Sequence, residues 1–370
     1  MIYYLILFVL VIFSLIEAVN ENKKVSGLWL FLVGVFLMLF AGFRTVGVDV
    51  DEYKNYYEIS KDVTALFNLG VEPAYAYLNY LFKTANIPIS ILFLFIAAIA
   101  ISVKMLYIRR YSPYIFISII IYYTTLFIIK EMGQIRHGVA IAFVLIAFGL
   151  MAENRNKLAL MFIAVAFTFH YSAFCVLPAF FIVKPRINSA WIIAILLLLF
   201  PIVLMDLKPL FVQVISLIPN TDIRTKGEFY INSPLFGNKI GINSSLILRV
   251  IVVSVMLFYR KVLEQKMSYF NAILNLYFMG LCYYITLSSV EEFAARASVY
   301  FRSLEIIILP SFVLLGKTLG ERLLILLLLS INGLYSLYNL LHADFALEAF
   351  SNYDNQLLIW ISNLVHNSSN

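Results

Sequence analysis

The chain has 370 residues, of which 62% are hydrophobic and only 13% charged, with a mean hydropathy of +0.91. Soluble domains carry about 25% charged residues, so the composition excludes a water-soluble enzyme and indicates one transmembrane domain over residues 1–370. A net charge of +6 fits basic loops on one side of a membrane and argues against a nucleic-acid partner, and the two cysteines, isolated in apolar runs, exclude a disulfide framework. No phosphate-binding glycine loop, zinc-protease helix or dinucleotide fingerprint is present, and no metal or cofactor site is expected.

In chain order, apolar stretches long enough to cross about 30 Å of hydrocarbon lie near 2–19, 27–43, 88–108, 113–130, 135–152, 189–205, 244–262, 269–288, 297–316 and 322–341. The expected fold class is an all-α polytopic membrane protein with about 10–12 transmembrane segments. The first stretch has no basic residue before it and Lys23-Lys24 after it, so it reads as a signal anchor with its N-terminus outside. Segment 157–183 is the ambiguous piece. It either crosses once or enters, turns near His170-Tyr171-Ser172 and returns. A re-entrant hairpin keeps the short basic clusters around Arg155, Lys184, Arg260 and Lys266 on the inner side, and the positive-inside rule favours it. Irregular backbone at that depth requires a protein-enclosed, watery cavity, which places an outward cavity near His170.

Two outer loops follow from that orientation, 44–87 and 206–243. In the first, Pro73 suits an initial helical turn with Glu72 before it. Tyr77 and Tyr80 would then share the face of a short interfacial helix. The second reads as loop with one short helix. The tail 342–370 has one amphipathic turn around 356–365.

Ionisable groups at membrane edges and inside apolar segments are functional candidates. Arg44-Thr-Val-Gly47-Val-Asp49-Val-Asp51-Glu52-Tyr53 leaves the membrane directly after an apolar run. Arg136 and His137 open another run, and His170 interrupts a third. Arg296 and Arg302 lie in Glu291-Glu292-Phe-Ala-Ala-Arg296-Ala-Ser-Val-Tyr300-Phe-Arg302. Arginine presents a planar fork suited to phosphate, so outer-side arginines suit a pyrophosphate; the structural alternative is pairing with local carboxylates. Asp49, Glu72, Glu131, His137 and His170 are the groups that could take a proton from a hydroxyl, whereas Asp51 and Glu52 read as solvated loop charges. For His170, burial as a packing residue is the competing reading. The tyrosines of 44–87 suit sugar stacking and interfacial anchoring alike.

Five motifs occur in a recognisable order: Arg44-xx-Gly47-x-Asp49-xxx-Tyr53; Glu72-Pro73-x-Tyr75; Ile135-Arg136-xxxx-Ile141-Ala142; Phe169-His170-Tyr171-Ser172-Ala173; and Arg296-xxx-Tyr300-Phe301. In this the chain resembles the EpsG family of bacterial polysaccharide polymerases, close in role to the Wzy-type O-antigen polymerases, over about residues 28–315. The resemblance implies a GT-C-like arrangement in the bacterial inner membrane with the active site facing the periplasm. It implies a glycosyltransferase that joins polyprenyl-pyrophosphate-linked oligosaccharides without metal or cofactor, with the bilayer and a chain-length regulator as further partners. On these residues it implies substrate contacts at Arg44, Arg136, His137, Arg296, Arg302, Tyr53, Tyr75 and Tyr300, and catalytic roles for His170, Asp49 and Glu72, His170 being the preferred base. A flippase of lipid-linked glycans would show two related halves, which this sequence lacks. An O-antigen ligase would differ only in acceptor.

Overall fold

The computed structural model describes all residues except 1, 21, 22, 218, 220, 235 and 362–370. In chain order its α-helices are α1 (Ile2–Asn20), α2 (Lys23–Gly42), α3 (Val50–Ile59), α4 (Val63–Asn68), α5 (Pro73–Thr84), α6 (Ile89–Tyr111), α7 (Ile115–Tyr122), α8 (Ile135–Ala152), α9 (Asn156–Phe169) and α10 (Ala179–Ile182). They continue with α11 (Ser189–Leu199), α12 (Lys208–Ser216), α13 (Thr221–Asn232), α14 (Ser244–Phe258), α15 (Arg260–Lys266), α16 (Phe270–Thr286), α17 (Glu291–Arg302), α18 (Glu305–Ser311), α19 (Leu319–Leu341) and α20 (Asp344–Phe350). Among the described residues there is no strand; a single antiparallel bridge pairs Arg44 with Asn355.

The chain forms two compact units. Unit one holds residues 1–149, 157–171 and 305–370; unit two holds 150–156 and 172–304.

The apolar stretches read from sequence all fall on helix, and the protein is all-α as expected. Among the described residues, four helices are long and apolar enough to cross a membrane: Ile2–Val19, Ile89–Tyr111, Ile135–Ala152 and Leu319–Leu341. Two broken pairs bring the number to six, and Gly27–Gly42, Asn156–Phe169, Tyr171–Ile182 and Ser244–Phe258 are shorter apolar helices. The expectation of 10–12 segments counted every apolar run; the structure breaks several of those runs. Residues 297–316, for example, break between Arg302 and Glu305 with a bend of 54°, while 113–130 stays helical and becomes a π-helix at Tyr123–Glu131. On α8, 78% of the apolar window is buried, against 22% on α19. The sequence element that opens on Arg136-His137 is therefore an interior helix, while α19 turns Leu324 and Leu328 outward, as a lipid-facing helix does.

Segment 157–183 breaks where the turn was expected. The His170 N–H still donates to the Ala166 carbonyl at 2.9 Å, and a 3-10 turn, Tyr171–Val176, follows. The same point marks the passage from unit one to unit two. In 206–243 the expectation of loop with one short helix gives way to two helices, α12 and α13. Ile215 and Ile231 are buried with Val290, and Phe211 and Phe293 pack on them. That burial holds two short helices, of which the polar α13 would not be stable alone. In the tail, residues 356–361 are helical, while 362–365 of the expected turn lie outside the described residues.

Candidate active site

The loop after α2 is built around a backbone carbonyl. Arg44 is buried; its Nε donates to the Met132 carbonyl at 2.6 Å and Nη1 to that of Ala41 at 2.5 Å, with Phe93 4.9 Å away. Gly47 has φ +146, and a Cβ there would collide with the Met132 oxygen, so both conformation and space demand glycine. The tail seals this loop: Thr45 N–H donates to the Asp354 carbonyl, Gln356 N–H to that of Phe43, and Tyr353 stacks on Phe40 at 4.0 Å. Arg44 thus braces the backbone that leads into α8, and its electrostatic neighbours are Tyr53, Tyr75 and Glu131.

Two elements of unit one converge on Arg136 of α8. Helix α3 brings Tyr53, Tyr56 and Glu52, and α5 opens with Glu72 and Pro73 at its start, as read from sequence, and carries Tyr75. Arg136 Nη1 meets Glu72 Oε2 at 2.5 Å, and Nη2 lies 3.9 Å from Glu52 Oε1. Its guanidinium lies 5.7, 5.6 and 5.8 Å from the ring centres of Tyr53, Tyr56 and Tyr75. Negative ring faces and two carboxylates therefore surround one planar cation. Glu52, expected to be solvated, joins this cluster and accepts from the Tyr56 hydroxyl, because one helical turn lays residue 52 beside residue 56. Asp51 is solvent-facing and paired with Lys54, as expected.

Burial holds the phenols of Tyr53 and Tyr75 well above their ordinary range. The Tyr53 hydroxyl donates to Asp49 Oδ2. Asp49 is half-buried, 3.4 Å from the Tyr53 hydroxyl. Burial first, and the neighbouring Glu52 charge second, raise its carboxyl above the usual value.

One residue further along α8, His137 is buried and stacked on His170, ring centres 4.1 Å apart and planes 12° from parallel. Lys130 Nζ lies 3.2 Å from His137 Nδ1. Two histidines separated by 33 positions (170 − 137) are thus face to face in unit one. His170 itself is half-buried, at the end of α9.

The remaining sequence candidates belong to unit two. Arg296 hydrogen-bonds to Glu292 one turn earlier and lies 4.6 Å from the Tyr230 ring. The Tyr300 hydroxyl is 2.9 Å from Ser172 Oγ and fully buried, and Arg302 closes the last turn of α17, half-buried. Sequence reading passed over three cations. Lys130 contacts His137; Lys104 is buried against Glu131; Arg249 lies 3.8 Å from the Tyr284 ring with Nη1 on Ser298 Oγ at 3.0 Å. Each was visible as a lone basic residue in or closing an apolar run, the same signal that singled out Arg136.

The fold and this cluster define a class: a polytopic helical membrane protein with a caged arginine and a histidine pair in one unit. The chain belongs to the EpsG family, whose model matches residues 27–355. It is also similar to the amylovoran biosynthesis protein AmsC of Erwinia amylovora, 26% identical over 361 residues that cover 91% of this chain and 94% of the relative. No solved structure matches.

Proposed function

We propose that this protein is a membrane glycosyltransferase that polymerises polyprenyl-pyrophosphate-linked oligosaccharide repeat units into an exopolysaccharide. It would act in the bacterial inner membrane with its site towards the periplasm and segment 157–183 as a re-entrant hairpin, and a chain-length regulator would be a partner. Family membership supplies the polysaccharide context, and the name of AmsC, a biosynthesis protein for one such polymer, agrees with it. The observation that carries the reading is the convergence at the start of α8. Arg136 in its ring of Tyr53, Tyr56, Tyr75, Glu52 and Glu72 adjoins in sequence the His137–His170 stack with Lys130.

In this reading an acceptor sugar hydroxyl attacks the anomeric carbon of the donor. The bond from that carbon to the pyrophosphate oxygen breaks, and the leaving group departs with the electron pair. The hydroxyl proton passes to His170, whose ring plane is set by His137; Asp49 is the second candidate base. Glu72 is committed to Arg136, so its contribution is to orient the guanidinium rather than to take the proton. Arg136 and Lys130 stabilise charge developing on the pyrophosphate, and the tyrosines offer stacking faces and neutral hydroxyls to sugar rings. Arg44 acts through the backbone it braces. Arg296, Tyr300 and Arg302 are further candidate substrate contacts.

The test is purified protein in detergent with a lipid-linked repeat unit, a chelator and no nucleotide sugar. A ladder of discrete multiples on a gel is expected. No ladder, together with translocation of the same substrate across liposomes, would replace this reading with a flippase.

A further inference from the structure

The turn that delivers Lys130 to His137 is held by a buried ion pair. Lys104 on α6 and Glu131 are both buried and hydrogen-bonded to each other. Lys104 Nζ also donates to the Gly138 carbonyl at 2.8 Å, and the Tyr122 hydroxyl donates to Glu131 Oε1 at 3.2 Å. One ammonium therefore ties the end of the π-helix to the first turn of α8.

The backbone on both sides is unusual. Met132 N–H donates to the Phe127 carbonyl and Gln134 N–H to that of Ile129, both spanning five residues rather than four. A π turn carries one extra residue per turn, and such turns concentrate at functional sites. Here the extra residue brings Lys130 to His137 and Glu131 to Lys104. Gly138 is packed so closely that a Cβ would strike the Glu131 carboxylate and approach the Lys130 carbonyl at 2.8 Å. Glycine here permits the two backbones to touch.

Buried ion pairs are poor stabilisers compared with apolar packing but can fix one arrangement among alternatives. We propose that Lys104, paired with Glu131, is a positioning residue: it fixes the register of the π-helix against α8 and so the stacking of His137 on His170. This rests on the proposed polymerase reading only for its kinetic consequence; the geometric consequence stands by itself.

The test is the double variant Lys104→Met/Glu131→Gln, which removes both charges together and leaves neither buried without its partner. Two readouts are taken on folded, monodisperse protein. One is turnover of the lipid-linked repeat unit; the other is the rate of diethyl pyrocarbonate modification at His137 and His170, resolved by peptide mass spectrometry. Expected are a KM within about two-fold of the parent, a kcat lower by about ten-fold or more, and faster modification of both histidines. The exposed pair variant Lys54→Met/Asp51→Asn should change neither. Should the double variant not fold, Tyr122→Phe, which removes one hydrogen bond to Glu131, should move both readouts the same way by less. A folded variant with parental kcat and parental histidine reactivity would overturn the proposal. If the parent makes no ladder, the polymerase reading fails, and histidine reactivity alone decides whether Lys104 positions the pair.

Discussion

The start of α8 and helix α17 carry the same ingredients, an arginine, nearby carboxylates and tyrosines, and assemble them in opposite ways. Arg296 is satisfied locally: Glu292 sits one turn away on the same helix, and Tyr230 supplies a ring face. Arg136 is satisfied from a distance, by Glu72 and by tyrosines that lie more than 60 positions back in the chain (136 − 72 = 64). An i,i+4 pair forms whenever a helix forms and says little about function. A cation held by two separate segments forms only if the whole unit closes around it, and closure around a charge is costly unless the charge is used. The contrast separates arginines that sequence inspection ranks alike.

The contrast can be broken by substitution. The largest effect is expected at the caged cation. Arg136→Lys keeps the charge but not the planar fork, and long-chain product should fall on the order of 10²-fold while the folded fraction by size exclusion stays near parental. Parental chain length in that variant would remove Arg136 from the site. His170→Ala should abolish the ladder while leaving expression intact, and a normal ladder would pass the role of base to Asp49.

Arg296→Ala should do less. A helical i,i+4 pair contributes about 0.3–0.5 kcal/mol and a cation–π contact about 0.5–1 kcal/mol. The melting temperature should drop by no more than a few degrees, and polymer yield by less than about ten-fold. A loss matching that of Arg136→Lys would show that Arg296 supplies a substrate contact of equal weight.

The smallest effect is a pH dependence at Asp49. Its carboxyl is raised in the folded protein by burial and by Glu52. The folded state therefore holds the proton more tightly than the unfolded chain. Stability is greatest below the unfolded value near 3.8, falls as pH rises through the folded value, and is level above it. Asp49→Asn should melt higher than the parent at pH 7, with the gap closing towards pH 3. A gap that persists at pH 3 would assign the difference to something other than ionisation.

Much of the site was legible because charge is conspicuous in an apolar sequence. Arg44, Arg136, His137, His170 and Arg296 each interrupt or border an apolar run, and each has a defined place in the structure. Their division of labour was not legible. Arg44 reads like Arg136 in sequence, yet donates to the carbonyls of Met132 and Ala41, and Glu52 reads like Asp51 yet faces Arg136. Lys104 and Lys130 were passed over because a lysine near the end of an apolar run is ordinarily an interfacial anchor. Of the two helices of 206–243 one was expected; the second was missed because the residues that hold the pair find their partners, Val290 and Phe293, far along the chain.

By itself, the sequence determined that this is an all-helical membrane protein, where its apolar segments lie and which ionisable residues need an explanation. Hydropathy and helical periodicity are local, so they survive being read one residue at a time. Only the tertiary structure decided which charges meet. The π-helix that turns Lys130 towards His137, the stacking of His137 on His170 and the cage around Arg136 depend on contacts between segments tens of residues apart. No local pattern encodes those contacts, because they exist only once buried apolar surfaces have fixed the helices against one another.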